Sequence, residues 1–265
     1  MALNDLIVSK AIIDEYHKTL IDYIDVDVAI VGGGPAGITA GYYLAKEGYK
    51  VSMYERKLSI GGGMWGGGIM FNKIVVQEEG AKILKEFNIQ TKKYAENYFT
   101  ADSCQTVSGL LYHATQAGLQ VFNLLSVEDV KVTPDNTVCG LVINWTSVEQ
   151  SGLHVDPITI GAKYIIEATG HACEIANIIL KRIGKVLYTP SGSIEGEGSM
   201  NAEIAESSIE KNTREIYKNV YVAGMAANAV FGSKRMGPIF GGMMLSGKKV
   251  AQDIIKRLKE GEKSA

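Results

Sequence analysis

Apolar positions along the chain change period several times, and the changes lay out alternating strands and helices. Residues 26–31 hold Val26, Val28, Ala29, Ile30 and Val31, a short apolar run that ends at a glycine cluster and reads as a strand. Residues 38–46 move to helical spacing, with Ile38, Tyr42, Leu44 and Ala45, and Gly48 ends that helix. Residues 50–55 are the next strand. The spacing of Val76, Ala81, Ile83, Leu84 and Phe87 predicts a helix over 73–87 with one buried face, and a further helix is expected over 106–117. Strands are expected at 120–125, 127–132 and 138–145, with turn chemistry at Pro134-Asp135-Asn136, and again at 158–168. Residues 219–224 form a strand ending in glycine. A Gly- and Met-rich segment follows, and from Gly241 a helix places Leu245, Val250, Ile254 and Leu258 near helical spacing. At the start, Asp5, Lys10, Asp14, Glu15 and Lys18 interrupt the apolar residues of Met1 to Leu20, which is an amphipathic helix and not a signal peptide.

Between the first strand and helix lies Gly32-Gly33-Gly34-Pro35-Ala36-Gly37, a G-x-G-x-x-G. Gly32 permits the tight turn, Gly34 lets a pyrophosphate approach the backbone, and Gly37 lets helix and strand pack closely. The helix N-terminus supplies N–H groups and positive potential. The motif alone is weak, but here a strand precedes it, a helix follows, and Glu55 ends the next strand at about the expected 20-residue distance. Glu55 can accept hydrogen bonds from both ribose hydroxyls and would repel a 2′-phosphate, which favours NAD or FAD over NADP. The expected fold is α/β and Rossmann-like, of the FAD/NAD(P)-binding kind. Its central sheet is mostly parallel, with an inserted antiparallel β layer and an N-terminal helical arm over 1–24. A single dinucleotide-binding domain spans 1–265.

The bulk numbers narrow the partners. A formal net charge of −2 argues against nucleic acid, and no apolar run approaches the ~20 residues of a membrane span. Cys104, Cys139 and Cys173 are isolated and odd in number, which fits a reduced, cytoplasmic setting. The basic run 256–263 is a solvated helix end, and the loop 192–198 carries two glutamates expected to be solvated. Glycine, at 30 residues of 265, is enriched, and part of the excess is the loop 61–68. Because Met64 and Trp65 sit between its glycine triplets, that loop reads as a ligand-lining wall and not as a polar linker.

His154 and Asp156 lie two apart in an extended segment and so share a face, with Pro157 marking a turn or sheet edge. His171 follows a strand that ends in Ala168-Thr169-Gly170. Two histidines and a carboxylate near a nucleotide site suit metal or acid–base chemistry. Ordinary structural roles remain equally open from the residues alone.

Taken together, these residues resemble the thiazole synthase family of thiamine biosynthesis over most of the chain. The marks are Gly32–Gly37, Glu55-Arg56, the loop 61–68, Val127-Glu128-Asp129, Asn144-Trp145-Thr146 and His154-Val155-Asp156-Pro157. They continue through Ala168-Thr169-Gly170-His171, Ala223-Gly224-Met225 and Arg235-Met236-Gly237-Pro238, leading to Phe240-Gly241. The resemblance implies that NAD is a substrate: nicotinamide leaves, the ADP-ribose isomerises to a ketose, glycine adds as an imine, sulfur enters, and dehydration yields an ADP-linked thiazole carboxylate. Such an enzyme belongs to the glycosyl-transferring class.

The same resemblance implies Asp156 and His171 as iron(II) ligands and Arg235 as the partner of the glycine carboxylate. Ala36, Glu55, Arg56, Gly63, Val127 and Met225 would line the nucleotide, with His154, Val155 and Asp156 beside it. It also implies a ring-like homo-octamer whose neighbouring protomers complete each active site. Flavoproteins of this fold usually carry aspartate after Ala-Gly; here Met225 stands there, so no tightly bound flavin is expected. In the eukaryotic branch a cysteine donates its own sulfur where this chain has His154. The chain therefore resembles the archaeal-type, sulfide-dependent branch with multiple turnover, and His154 would be a proton shuttle or polar wall. Cys173 is the rival sulfur donor but does not hold the family's donor position. A flavin oxidoreductase and a non-catalytic NAD-binding or sensor protein are the alternatives.

Overall fold

The computed structural model describes residues 3–262. Met1 and Ala2 of the expected arm, and Lys263 of the basic run, lie outside the described residues. Helix α1 (Asp5–Asp22) is capped by the Asn4 side chain, which accepts from the Leu6 N–H at 2.9 Å. None of its residues is buried, and Leu6, Ile7, Ile12 and Ile13 face outward. Tyr16 attaches it to the body, stacking on Trp145 with ring centroids 6.1 Å apart.

Strand β1 (Asp25–Val31), helix α2 (Pro35–Lys46) and β2 (Val51–Glu55) form the first β-α-β, with β1 and β2 parallel. Helix α2 begins three residues before its apolar spacing does, because Pro35 at its first position has a φ already suited to a helix. The helix predicted over 73–87 is corrected here: it divides into β3 (Lys73–Val76) and α3 (Glu78–Glu86). Ile74, Val75 and Val76 are β-branched and stiff in a helix, and they gain partners as a strand paired with β5 (Tyr98–Asp102). With β4 (Lys92–Ala95) these make a separate three-stranded antiparallel sheet. All four residues of β4 are exposed, so no apolar alternation announced it.

The chain continues through α4 (Ser103–Gln116), β6 (Gln120–Asn123), β7 (Leu125–Val132), β8 (Val138–Trp145), α5 (Thr146–Ser151) and β9 (Ile158–Glu167). Next come α6 (Glu174–Arg182), α7 (Ala202–Asn212), β10 (Glu215–Tyr217), β11 (Val220–Val222), α8 (Met225–Val230) and α9 (Gly241–Glu262). The main sheet runs β10-β11-β9-β1-β2-β6, parallel except at β10. The β7–β8 hairpin joins as an antiparallel layer on the first half of β9, where Gly140 opposes Gly161; the second half pairs with β11. The fold is thus α/β with a mainly parallel sheet.

Alternate residues feed two cores, as a pleated strand requires. Ile30, Met53 and Ile166 pack into one with Leu44 and Ile254. Val31, Tyr54 and Ile165 pack into the other with Ile143 and Ile179. Helix α9 crosses α2 so closely at Gly247 that a Cβ there would run into the Ala36 carbonyl oxygen and stand 2.9 Å from Thr39 Cβ. Among the described residues no helix is long and apolar enough to cross a membrane.

Candidate active site

A cavity of about 390 Å³ opens where β1, β2 and β9 end. Ligands of open parallel sheets bind at this carboxyl edge, because the turns there bring helix N-termini and bare backbone together. Gly32, Gly34 and Ala36 form one wall, so α2 starts against the cavity. Gly32 has φ +101°, and any side chain on it would strike the Ala168 carbonyl. Gly37 does not line the cavity; it lets α2 pack on the turn, where a Cβ would collide with the Gly32 carbonyl oxygen. From the loop 61–68, Gly62 and Gly63 line the cavity, while Met64 is fully buried and Trp65 donates its indole N–H to the Ile60 carbonyl at 2.6 Å. Val127 and Met225 line it as well.

Glu55 is buried at the end of β2. One carboxylate oxygen accepts from the Gly33 N–H and the other from the Lys57 N–H, both at 2.8 Å. The carboxylate is thereby fixed at the rim, with lone pairs left for hydroxyl donors. Beside it Arg56 Nη1 meets Glu174 at 2.8 Å, and both line the cavity.

The turn after β9 is held from below. Glu167 is wholly buried, and its carboxylate accepts from the Thr169 N–H (2.8 Å), the Thr169 hydroxyl (2.6 Å), and the Ile175 and Ala176 N–H groups at the start of α6. Burial pushes its pKa up while these donors oppose the rise. The anchored turn presents His171, whose Nδ1 lies 2.7 Å from both oxygens of Glu197. The expectation that both glutamates of 192–198 are solvated is therefore corrected. Glu195 is exposed, but the Glu197 side chain is only 15% exposed because it closes on His171. Cys173, next along, is buried with φ +46°, and burial with Glu167 and Glu197 nearby holds its thiol far above the ordinary cysteine range. A thiol so placed is a poor nucleophile or sulfur donor.

A second cavity of about 340 Å³ shares His171, Met225, Phe240 and Met243 with the first and is also lined by Arg235 and Met200. His171 and Met225 thus stand between a nucleotide-sized space and one that carries a guanidinium.

His154, Val155 and Asp156 are exposed in the segment between α5 and β9 and line neither cavity. The Asn144 side-chain amide holds this segment by donating to the Val155 carbonyl at 2.9 Å. The ten residues of β9 stand between Asp156 and His171, a span of about 33 Å at strand rise. Among the described residues no three His, Cys, Asp or Glu side chains converge as a metal site. The cluster read from sequence is therefore not assembled within one chain. Sequence reasoning also missed Glu174, Glu197 and Glu167. Glu174 carried a faint mark as an acid at a helix start, but Glu197 reaches His171 from 26 residues away and left none.

The parallel sheet, the glycine turn, the acid ending β2 and the cavity over the strand ends define the Rossmann-like fold of the FAD/NAD(P)-binding kind. The fold is shared with a geranylgeranyl bacteriochlorophyll reductase-like protein from Thermoplasma acidophilum. That structure is 15% identical, with a TM-score of 0.53, and the match covers 89% of this chain and 79% of that one. More narrowly, the chain belongs to the Thi4 family, whose model matches residues 9–240. It is similar to the thiamine thiazole synthase of Methanothermobacter thermautotrophicus, at 58% identity over 98% of this chain and 100% of that protein. It is also similar to the crystal structure of Thermovibrio ammonificans THI4, at 46% identity and a TM-score of 0.93, covering 98% and 100% of the two chains.

Proposed function

We propose that the chain is a thiamine thiazole synthase of the sulfide-dependent kind, making an ADP-linked thiazole carboxylate from NAD, glycine and sulfide over many turnovers. The observation that carries this reading is the pair of cavities meeting at His171 and Met225, one walled by the glycine turn and Glu55 and the other offering Arg235. The glycine turn and the start of α2 would hold the pyrophosphate, and Glu55 would accept from the ribose hydroxyls. Arg235 would pair with the glycine carboxylate, bidentate in geometry, and so set the amine toward the opened sugar. Cleavage of the nicotinamide C–N bond, isomerisation to the ketose and imine formation with glycine come first, and sulfur entry and loss of water complete the thiazole. His154 is suited to carry protons among these steps, since an imidazole has one nitrogen that accepts a proton and one that donates it.

Iron(II) would be held by His171 of one chain and Asp156 of a neighbour, because β9 keeps the two apart within a chain. His171 fits that role: Glu197 on its Nδ1 is the carboxylate support that ligating histidines use, leaving Nε2 as the coordinating nitrogen. When bound, the ion supplies open coordination positions for substrate and sulfide. A homo-octamer with shared sites accounts for the outward apolar residues of α1 and for exposed Trp145, Leu153, Val155 and Ile158 around the His154 segment. The three free cysteines suit the cytoplasm.

The test is anaerobic incubation with NAD, glycine, sulfide and iron(II), with nicotinamide release and product mass as readouts. More than one thiazole product per chain is expected. A yellow protein with stoichiometric flavin and no thiazole overturns the reading, and undiminished turnover with a strong iron chelator overturns the metal assignment.

A further inference from the structure

Glu55 and Arg56 carry opposed instructions for the ribose they face. An acid at the end of the second strand accepts from the 2′-hydroxyl, whereas an arginine beside it is the group that receives a 2′-phosphate. Both side chains line the dinucleotide cavity. Glu174 resolves the conflict in geometry. It is the first residue of α6, the helix that follows β9 two strands away from β2, and it meets Arg56 Nη1 at 2.8 Å.

Its position is imposed by a buried anchor. The Glu174 N–H donates to the Thr169 hydroxyl at 3.0 Å, and that hydroxyl donates in turn to the fully buried Glu167. The Glu174 side chain is 23% exposed against 47% for Arg56, so the fixed acid holds the freer base. A pair this open contributes little to folding stability, and its place on the cavity wall calls for a different reason.

We propose that Glu174 is a specificity-determining residue: by occupying the Arg56 guanidinium it denies the cavity the cation a 2′-phosphate needs, so that NAD is selected over NADP. The proposal rests on the reading of this cavity as an NAD site. An incoming 2′-phosphate would have to displace Glu174 from Arg56 while facing the Glu55 carboxylate as well. The 2′-hydroxyl of NAD requires neither. Replacing Glu174 by a neutral isostere leaves Arg56 free for charge-assisted, fork-shaped pairing with phosphate.

Calorimetric titration of the intact protein with NAD and with NADP, without glycine, sulfide or iron, tests this. In Glu174→Gln the preference for NAD over NADP should fall at least tenfold, the change coming from tighter NADP binding. In Glu174→Gln combined with Arg56→Gln that gain in NADP affinity should vanish. Glu174→Asp keeps the charge and should hold the wild-type preference to within about threefold. An unchanged preference in Glu174→Gln, with wild type binding NAD, overturns the proposal and leaves the NAD reading standing. A gain that survives in the double variant assigns phosphate recognition to Lys57 and overturns it too. Wild type that binds neither dinucleotide overturns both.

Discussion

Glu206 on α7 should make the protein less stable as pH rises toward neutrality, and Glu206→Gln should remove that sensitivity. Its carboxylate accepts from the Gln77 side-chain amide at 2.6 Å beneath the first turn of α9, and its other oxygen, like the Gln77 oxygen, is buried without a partner. Burial pushes its pKa from 4.5 up to about 7, outweighing the hydrogen bonds from Gly242 and Gln77. The folded state therefore holds this proton more tightly than the unfolded chain does. The associated stability is complete below about pH 4.5, declines through the window up to about 7, and is absent above it. That window caps the effect at about 3 kcal/mol, and the residue's partial contact with water reduces the expectation to about 1–2 kcal/mol. Glutamine cannot ionise, and its amide adds a donor beside the orphaned Gln77 oxygen. Urea unfolding at fixed protein concentration should show Glu206→Gln more stable than wild type at about pH 8 and nearly equal at about pH 5. A wild type that equals or exceeds the variant at the higher pH would refute the argument.

Gly247→Ala places a methyl group against backbone of α2 that cannot yield. The overpacking penalty of about 1–3 kcal/mol should exceed the roughly 1 kcal/mol of helix propensity that alanine gains. A fall of several degrees in Tm is expected, and a rise would show that the two helices separate freely. Cys173→Ser should sustain repeated turnover with added sulfide, and intact-mass analysis of the wild type after turnover should show no dehydroalanine; a chain lighter by one hydrogen sulfide would reinstate a protein sulfur donor. His154→Ala should slow thiazole formation about tenfold or more while NAD still binds in calorimetry, and an unchanged rate would reduce His154 to a space-filling residue.

The first β-α-β was legible because three independent requirements coincide there: an apolar run, a glycine turn and an acid at the right distance. Gly32, Gly34, Ala36, Glu55 and Arg56 accordingly meet at one cavity. Segment 73–87 misled because Val76, Ile83 and Leu84 satisfy a helical period while the preceding residues are held in a strand by Phe99, Thr100 and Ala101, contacts that local spacing does not encode. Glu167 and Glu197 were invisible for a related reason. Glu167 accepts from Thr169, Ile175 and Ala176 only because the turn after β9 folds the start of α6 back over it, and Glu197 meets a side chain 26 residues away; neither geometry is written in the local spacing. The His154–Asp156 segment shows the opposite limit: it is close to His171 in sequence, but the extended strand β9 carries the two apart in space.

Strand β9, stretched between Asp156 and His171, gives shared sites an outcome visible in mixtures of defective chains. A preparation made wholly of Asp156→Ala should be inactive, as should one made wholly of His171→Ala. Dissociated and reassembled together in equal amounts, they should regain about a quarter of wild-type activity, because random pairing leaves one contact in four with both ligands intact. In the shared sites proposed above, each chain would give Asp156 to one site and His171 to another. A lesion is therefore inherited by a contact and not by the chain that carries it.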